Sequence, residues 1–319
     1  MINLKNTDLT VSKIILGTDS YGSIVDEKLS FEMMDYYCEN GGNVIDTAEC
    51  YADWAENGRH ASENTIGRWM RERENRNKVV ISTKGGYSKV WQGPRLSRTD
   101  IMTDIEGSLL RLGTDYVDIY WLHRDCESLP VEPIMDTMAD IVKQGKSRYI
   151  GVSNWTHKRI DEANAYLEKK NAPKLMASQI QFSSATPNVE KNEPELVLMN
   201  KNEYEYFKNH EMTLFAFAAQ AKGFFSKYHI GGRNALSEKA DKRYYNEKTL
   251  YAYECLKKIR QNHDCSIGAA ALAAILNVRD FNTVGIIGCK NMTQLADSMS
   301  AEKICLTEDE IAFIRENME

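Results

Sequence analysis

Short runs of β-branched and apolar residues recur along the chain at spacings too long for hairpins. They are SKIILGT (12–18), NVIDT (43–47), VVISTK (79–84), DIYWLH (118–123), RYIGVSN (148–154), MASQIQF (176–182), TLFAFAA (213–219) and TVGIIG (283–288). Each reads as a strand. Between them the apolar positions recur at helical spacing. KLSFEMMDYYCENG closes on glycine, as a helix C-cap does. SENTIGRWMRERENR opens on Ser62, which reads as an N-cap. SRTDIMTDIEGSLLRLG, EPIMDTMADIVKQGK, HKRIDEANAYLEKK, NEKTLYAYECLKKIRQNH and SIGAAALAAILNVRD continue the alternation. MTQLADSM and TEDEIAFIRENM follow the last strand.

A strand–helix alternation of this kind predicts parallel pairing, because parallel neighbours need a crossover between them. Eight such strands in 319 residues fit one closed (β/α)8 barrel, an α/β fold, as a single domain over residues 1–319. The rival is an open doubly wound sheet. It normally carries a GxGxxG turn after its first strand, and this chain has none. One connection is unusually long, from Gln220 to Asn246. It reads either as a lid or binding loop or as a surface excursion.

In a barrel the active site lies at the carboxyl ends of the strands. The residues read there are Thr18, Asp46, Lys84, His123, Ser153 with Asn154, Gln179, Phe217 and Gly288. Most are polar, on strands that are otherwise apolar. Unsatisfied buried polar groups cost about 1–3 kcal/mol each, so this set predicts a single wet, polar mouth.

Composition narrows the chemistry. The net charge is −6, and no Lys/Arg block is present, so nucleic acid has no electrostatic footprint to meet. No run approaches the ~18 apolar residues of a membrane span. The polar start, MINLKNTDLT, does not read as a signal or transit peptide. The seven cysteines are odd in number and lack a CxxC pair. That predicts reduced thiols in a cytoplasm, with neither a disulfide framework nor a zinc site. Asp46, His123 and Asp125 would make only a poor metal site.

Four residues at the mouth suggest a reaction. Asp46 and Lys84 end neighbouring strands and can pair. A lysine ammonium beside the Tyr51 phenol is expected to lower its pKa. Such a phenol can protonate a carbonyl oxygen that is becoming an alkoxide, and His123 can donate a hydrogen bond to the same oxygen. Singly, an Asp–Lys pair reads as a salt bridge and a lone histidine as a core residue. Their coincidence at successive strand ends is what points to catalysis. A hydrolase would need paired carboxylates at the strand ends, and only Asp46 stands there.

These residues lie in longer motifs: GGNVIDTAECY, SENTIGRWM, STKGG, SLLRLGTDYVDIYWLHRD, GKSRYIGVSNW, SQIQFS and IIGCKNMTQLADS. In order and spacing the chain resembles the aldo-keto reductase superfamily over nearly its whole length. The resemblance implies a short N-terminal hairpin near residues 1–12 closing the barrel bottom. It implies Asp46, Tyr51, Lys84 and His123 as the catalytic set, acting on a small-molecule carbonyl substrate. It also implies NADP(H) as cofactor, with NADH tolerated. Ser153, Asn154 and Gln179 match residues that hold the carboxamide. Thr18 and Gly288 belong to the same cofactor site, and Lys290 and Gln294 match contacts to the 2′-phosphate. Phe217 replaces a tyrosine that stacks on the nicotinamide, and Asp297-Ser298 replaces a Glu-Asn pair near the adenine. The short stretch after the last helix resembles bacterial members with an open mouth. Trp54, Tyr87 and Trp91 are expected to wall an apolar pocket for an aromatic or sugar-like carbonyl compound. The alternative is an NADP(H)-binding redox sensor or regulatory subunit with little turnover. Oligomeric state is not legible in the sequence.

Overall fold

The computed structural model describes residues 1–87 and 93–318. A two-residue pair, β1 (Ile2–Asn3) and β2 (Thr10–Val11), forms an antiparallel hairpin. The eight predicted strands follow as β3 (Ile14–Gly17), β4 (Val44–Asp46), β5 (Val80–Gly85), β6 (Val117–Leu122), β7 (Ser147–Ser153), β8 (Ala177–Gln181), β9 (Thr213–Phe217) and β10 (Thr283–Ile287). They pair in parallel in chain order, and β10 returns to β3, closing a (β/α)8 barrel.

Side chains alternate across each strand, and that alternation sorts the core into two. Ile15, Val44, Val80, Ile119, Ala177, Phe215 and Val284 point inward and fill the barrel. Their neighbours Ile14, Leu16, Ile45, Ile81, Ile180 and Leu214 point outward against the helices. Leu4, Leu9 and Val11 of the hairpin join the inward cluster, so the hairpin forms the barrel floor. Arg148 on β7 ties it down, donating to Asp8 at 2.6 Å and to Asp118 at 2.9 Å.

The helices between strands are α1 (Glu27–Glu39), α2 (Ala61–Arg73), α3 (Arg98–Leu112), α4 (Val131–Lys143), α5 (His157–Lys169) and α6 (Lys201–Asn209). Then come α7 (Phe224–Gly231), α8 (Glu238–Tyr244), α9 (Glu247–His263) and α10 (Ile267–Leu276), and after β10, α11 (Met292–Ser300) and α12 (Glu308–Glu316). Two details depart from expectation. Ser62 does not cap α2. The helix starts from His60 in a left-handed conformation, and Ser62 is buried, donating to Thr18 O at 2.8 Å. Helix α6 has no counterpart in the apolar pattern, because its buried face, Glu203, Tyr204, Tyr206 and Phe207, is aromatic and acidic rather than aliphatic. Its N-cap is Asn200, whose side chain accepts from Asn202 N and Glu203 N.

The connection after β9 is not an open loop. It folds into α7 and α8. Arg243 of α8 pairs with Glu193 at 2.5 Å, and Tyr244 accepts from Gln181 at 3.1 Å. These contacts staple the segment to the connection that follows β8.

Candidate active site

The mouth continues the inward alternation of the barrel. Asp46 follows Val44 by two residues. Ser82 and Lys84 follow Val80, Trp121 and His123 follow Ile119, and Phe217 follows Phe215. The same parity that builds the apolar core thus lifts these side chains into one upper layer. Gln179 sits mid-strand in β8 rather than at its end, with Gln181 above it.

Lys84 is fully buried at the centre of this layer. Its Nζ lies 2.6 Å from Asp46 Oδ2, 2.7 Å from Thr47 O and 2.9 Å from Tyr51 Oη. An ammonium has three hydrogens and no lone pair, so all three are committed. Tyr51 is the acceptor in its contact, and its own hydroxyl hydrogen is not used by Lys84. Asp46 is fixed from its other side: Ser82 Oγ donates to Oδ1 at 2.9 Å and Gln179 Nε2 approaches it at 3.4 Å. Ser82 in turn accepts from the Trp121 indole at 2.6 Å. Trp121 fits because residue 151 is glycine: a Cβ there would lie 2.4 Å from the indole ring.

The His123 ring stands edge-on to Tyr51, centroids 5.9 Å apart, and 5.1 Å from Tyr87. Burial, then Arg124 and Lys84, depress its pKa well below 6.5, so the ring is neutral. Tyr51 does not follow the expectation of a lowered pKa. Burial first, then Asp46 and Asp19, push it well above 10. The reason is that the Lys84 charge is already compensated by Asp46, while burial penalises a phenolate. Burial also lowers the Lys84 pKa, against the opposing pull of Asp46.

The remaining predicted residues divide. Phe217 is partly exposed at the end of β9, and Gly288 follows β10 with only Asp19 Oδ1, at 4.0 Å, near a would-be Cβ. Thr18 is fully buried, and its hydroxyl donates to Asp46 O at 2.9 Å, so it braces the backbone beneath the mouth. Ser153 donates to Gln179 O at 3.0 Å. Asn154 takes a left-handed φ of 59° and donates to Ser153 Oγ and His123 O. Asn291 caps α11 by accepting from Gln294 N at 2.9 Å, and Gln294 Oε1 folds back to accept from Lys290 N at 2.9 Å. Ser298 is buried and donates to Gln220 at 3.1 Å, while Asp297 accepts from Ser266 at 2.8 Å. Asp125 pairs with Arg159 at 3.0 Å, away from Asp46 and His123. Trp54 is 59 % exposed beside Tyr51, ring centroids 6.5 Å apart. Trp91 lies outside the described residues. A cavity of about 610 Å³ opens to one side, lined by residues 181–200 and α12, and meets this site at Asn154 and Gln181.

A model of the Aldo/keto reductase family matches residues 13–319. The chain belongs to the aldo/keto reductase family. Among relatives of this aldo/keto reductase, an uncharacterized oxidoreductase, YrpG of Bacillus subtilis, is 35 % identical, over 56 % of this chain and 57 % of its own length. The aldo-keto reductase str7 of Strobilurus tenacellus is 27 % identical, over 92 % of this chain and 82 % of its own. A putative aryl-alcohol dehydrogenase of Saccharomyces cerevisiae, AAD14, is 25 % identical, over 97 % and 84 %. Two residues of this aldo/keto reductase escaped the sequence reading, Ser82 and Trp121. Their signal was present in the parity of β5 and β6: each lies two residues below a mouth residue, on the same inward face. All seven cysteines are free thiols. Among the described residues no helix is long and apolar enough to cross a membrane.

Proposed function

We propose that the protein is an NADPH-dependent reductase of aldehydes or ketones, with Tyr51 as proton donor. The observation that carries this reading is the committed ammonium of Lys84. Because Asp46, Thr47 O and Tyr51 Oη take its three hydrogens, the Tyr51 hydroxyl proton is left for an acceptor in the mouth. Tyr51 then transfers that proton to the carbonyl oxygen, and His123 donates a hydrogen bond to the same oxygen. A bound nicotinamide would supply the hydride to the carbonyl carbon.

Residues of the mouth fit such a cofactor. Phe217 offers a ring face, and the space beside Gly288 is open. Lys290 is exposed, so its charge is available to a phosphate. Ser153, Asn154 and Gln179 would hold the carboxamide end. Gly288, Lys290, Gln294 and Ser298 would hold the adenosine end, with Thr18 bracing the wall between. Lysine binds phosphate as a point charge, so NADPH is preferred and NADH is tolerated. Trp54 and Tyr87 beside Tyr51 and His123, together with a relative named as a putative aryl-alcohol dehydrogenase, support an aromatic carbonyl substrate. The free thiols suit a reducing compartment, the cytoplasm.

The test follows NADPH absorbance with the purified protein against aldehydes, ketones and reducing sugars. Turnover, fastest on aryl aldehydes, is expected. NADPH binding with no turnover on any carbonyl would favour the redox-sensing alternative.

A further inference from the structure

Cys50 stands directly before Tyr51, and the reductase reading gives it no role. Its Sγ lies 3.7 Å from His123 Nδ1. Among the described residues, the only side-chain hydrogen bond of the His123 ring is this one. A neutral imidazole carries one N–H and one lone pair. Which nitrogen holds the proton is set by the partner of the other. Here the partner is a sulfur.

Two arrangements satisfy the contact. In one, the Cys50 S–H donates to Nδ1, and Nε2 carries the ring proton. In the other, Nδ1–H donates to sulfur, and Nε2 is left with a bare lone pair. Sulfur is a weak acceptor, whereas the imidazole nitrogen is a strong one. Only the first arrangement also leaves the ring a free donor for a carbonyl oxygen. Burial, with Glu49 next, pushes the Cys50 pKa up, so the sulfur keeps the hydrogen that the first arrangement needs.

We propose that Cys50 is a positioning residue, whose thiol donates to His123 Nδ1 and holds the ring as the Nε2–H tautomer. Its role in reduction rests on the reductase reading, but the tautomer itself does not. Cys50 acts through His123 and does not touch the substrate. Its neighbour Tyr51 supplies the proton, so two consecutive residues of the loop after β4 serve the same oxygen by different routes.

The test is nitrogen NMR of the full chain carrying ¹⁵N-labelled histidine, with the His123 signals assigned by their loss in His123→Gln. The wild type is expected to show the Nε2–H tautomer. Cys50→Ala is expected to show a mixture, and Cys50→Ser, which restores a donor, to return to Nε2–H. In parallel, kcat for NADPH-dependent reduction of benzaldehyde should fall about two- to tenfold in Cys50→Ala, the scale of one neutral hydrogen bond. Cys50→Ser should recover it. An Nδ1–H tautomer in the wild type overturns the inference, and so does an unchanged tautomer in Cys50→Ala. Equal losses of kcat in the Ala and Ser variants overturn it as well. If the wild type reduces no carbonyl compound, the reductase reading fails alone, because the NMR arm reads the tautomer without substrate.

Discussion

Tyr51→Phe keeps the ring that packs beside His123 and removes the oxygen 2.9 Å from Lys84. Carbonyl reduction should fall by ~10²-fold or more, the usual scale of general acid catalysis. Fluorescence titration should show NADPH binding little changed, since the phenol is not among the residues proposed to hold the phosphate or the carboxamide. The pH dependence follows from the directions of the shifts. The Tyr51 pKa lies well above 10, so the phenol keeps its proton at every pH below that. The His123 pKa lies well below 6.5, so the ring stays neutral at every pH above that. The kcat for reduction should therefore be flat from about pH 6.5 to about pH 10. A steady-state profile with a limb between these values would mean that another group titrates in the reaction.

At the scale of the element, β7 shapes the site without supplying a reacting group. Gly151 is the space into which Trp121 fits, and Trp121 holds Ser82, which holds Asp46. Gly151→Ala puts a methyl 2.4 Å from the indole. The expected cost is about 1–3 kcal/mol of stability from overpacking, read as a lower urea midpoint. Activity should fall with it, since the indole leaves Ser82. Helix α11 carries the second prediction at this scale. Asn291 caps the Gln294 amide and Gln294 Oε1 accepts from Lys290 N just before the helix, and the Lys290 ammonium is the charge beside this turn. Lys290→Ala should weaken NADPH by roughly ten- to a hundredfold, the scale of a charge-assisted contact, and leave NADH nearly unchanged. Tryptophan-quenching titrations of both cofactors decide it. Equal losses would show that Lys290 does not read the 2′-phosphate.

At the scale of the whole molecule, the barrel separates stability at its floor from chemistry at its mouth. Leu9 of the hairpin packs into the inward cluster with Leu4, Val11 and Val44, at the end opposite Tyr51 and His123. Leu9→Ala should cost about 2–5 kcal/mol, the range for a buried leucine. It should leave KM for NADPH and carbonyl substrate unchanged, since Leu9 sits in the hairpin at the barrel floor. Urea unfolding beside steady-state kinetics separates the two effects. The alternation of strands and helices made the barrel legible in advance, because parallel pairing demands a crossover for every strand. Aspartate, lysine and histidine were legible too, as polar interruptions of apolar strands. Ser82 and Trp121 were legible only through strand parity, since they lie one inward position below the strand ends. Helix α6 was missed because its buried face is built from tyrosines and a glutamate rather than aliphatic residues.

The sequence by itself determined the class of fold and the ring of polar strand ends, and it marked Asp46, Tyr51, Lys84 and His123 as the candidate residues. Those follow from residue type and period, which are local. The tertiary structure decided how these groups are charged and joined. Lys84 meets Asp46 across neighbouring strands and Tyr51 across a loop, so its charge is already compensated when it reaches the phenol. Burial of the phenol then dominates, with Asp46 and Asp19 adding to it, and the Tyr51 pKa rises where the sequence predicts a fall. The helices of residues 220–246 likewise exist by virtue of partners at Gln181 and Glu193, far away in the chain. Burial and compensation depend on what the fold brings together from distant positions, and no local pattern carries that information.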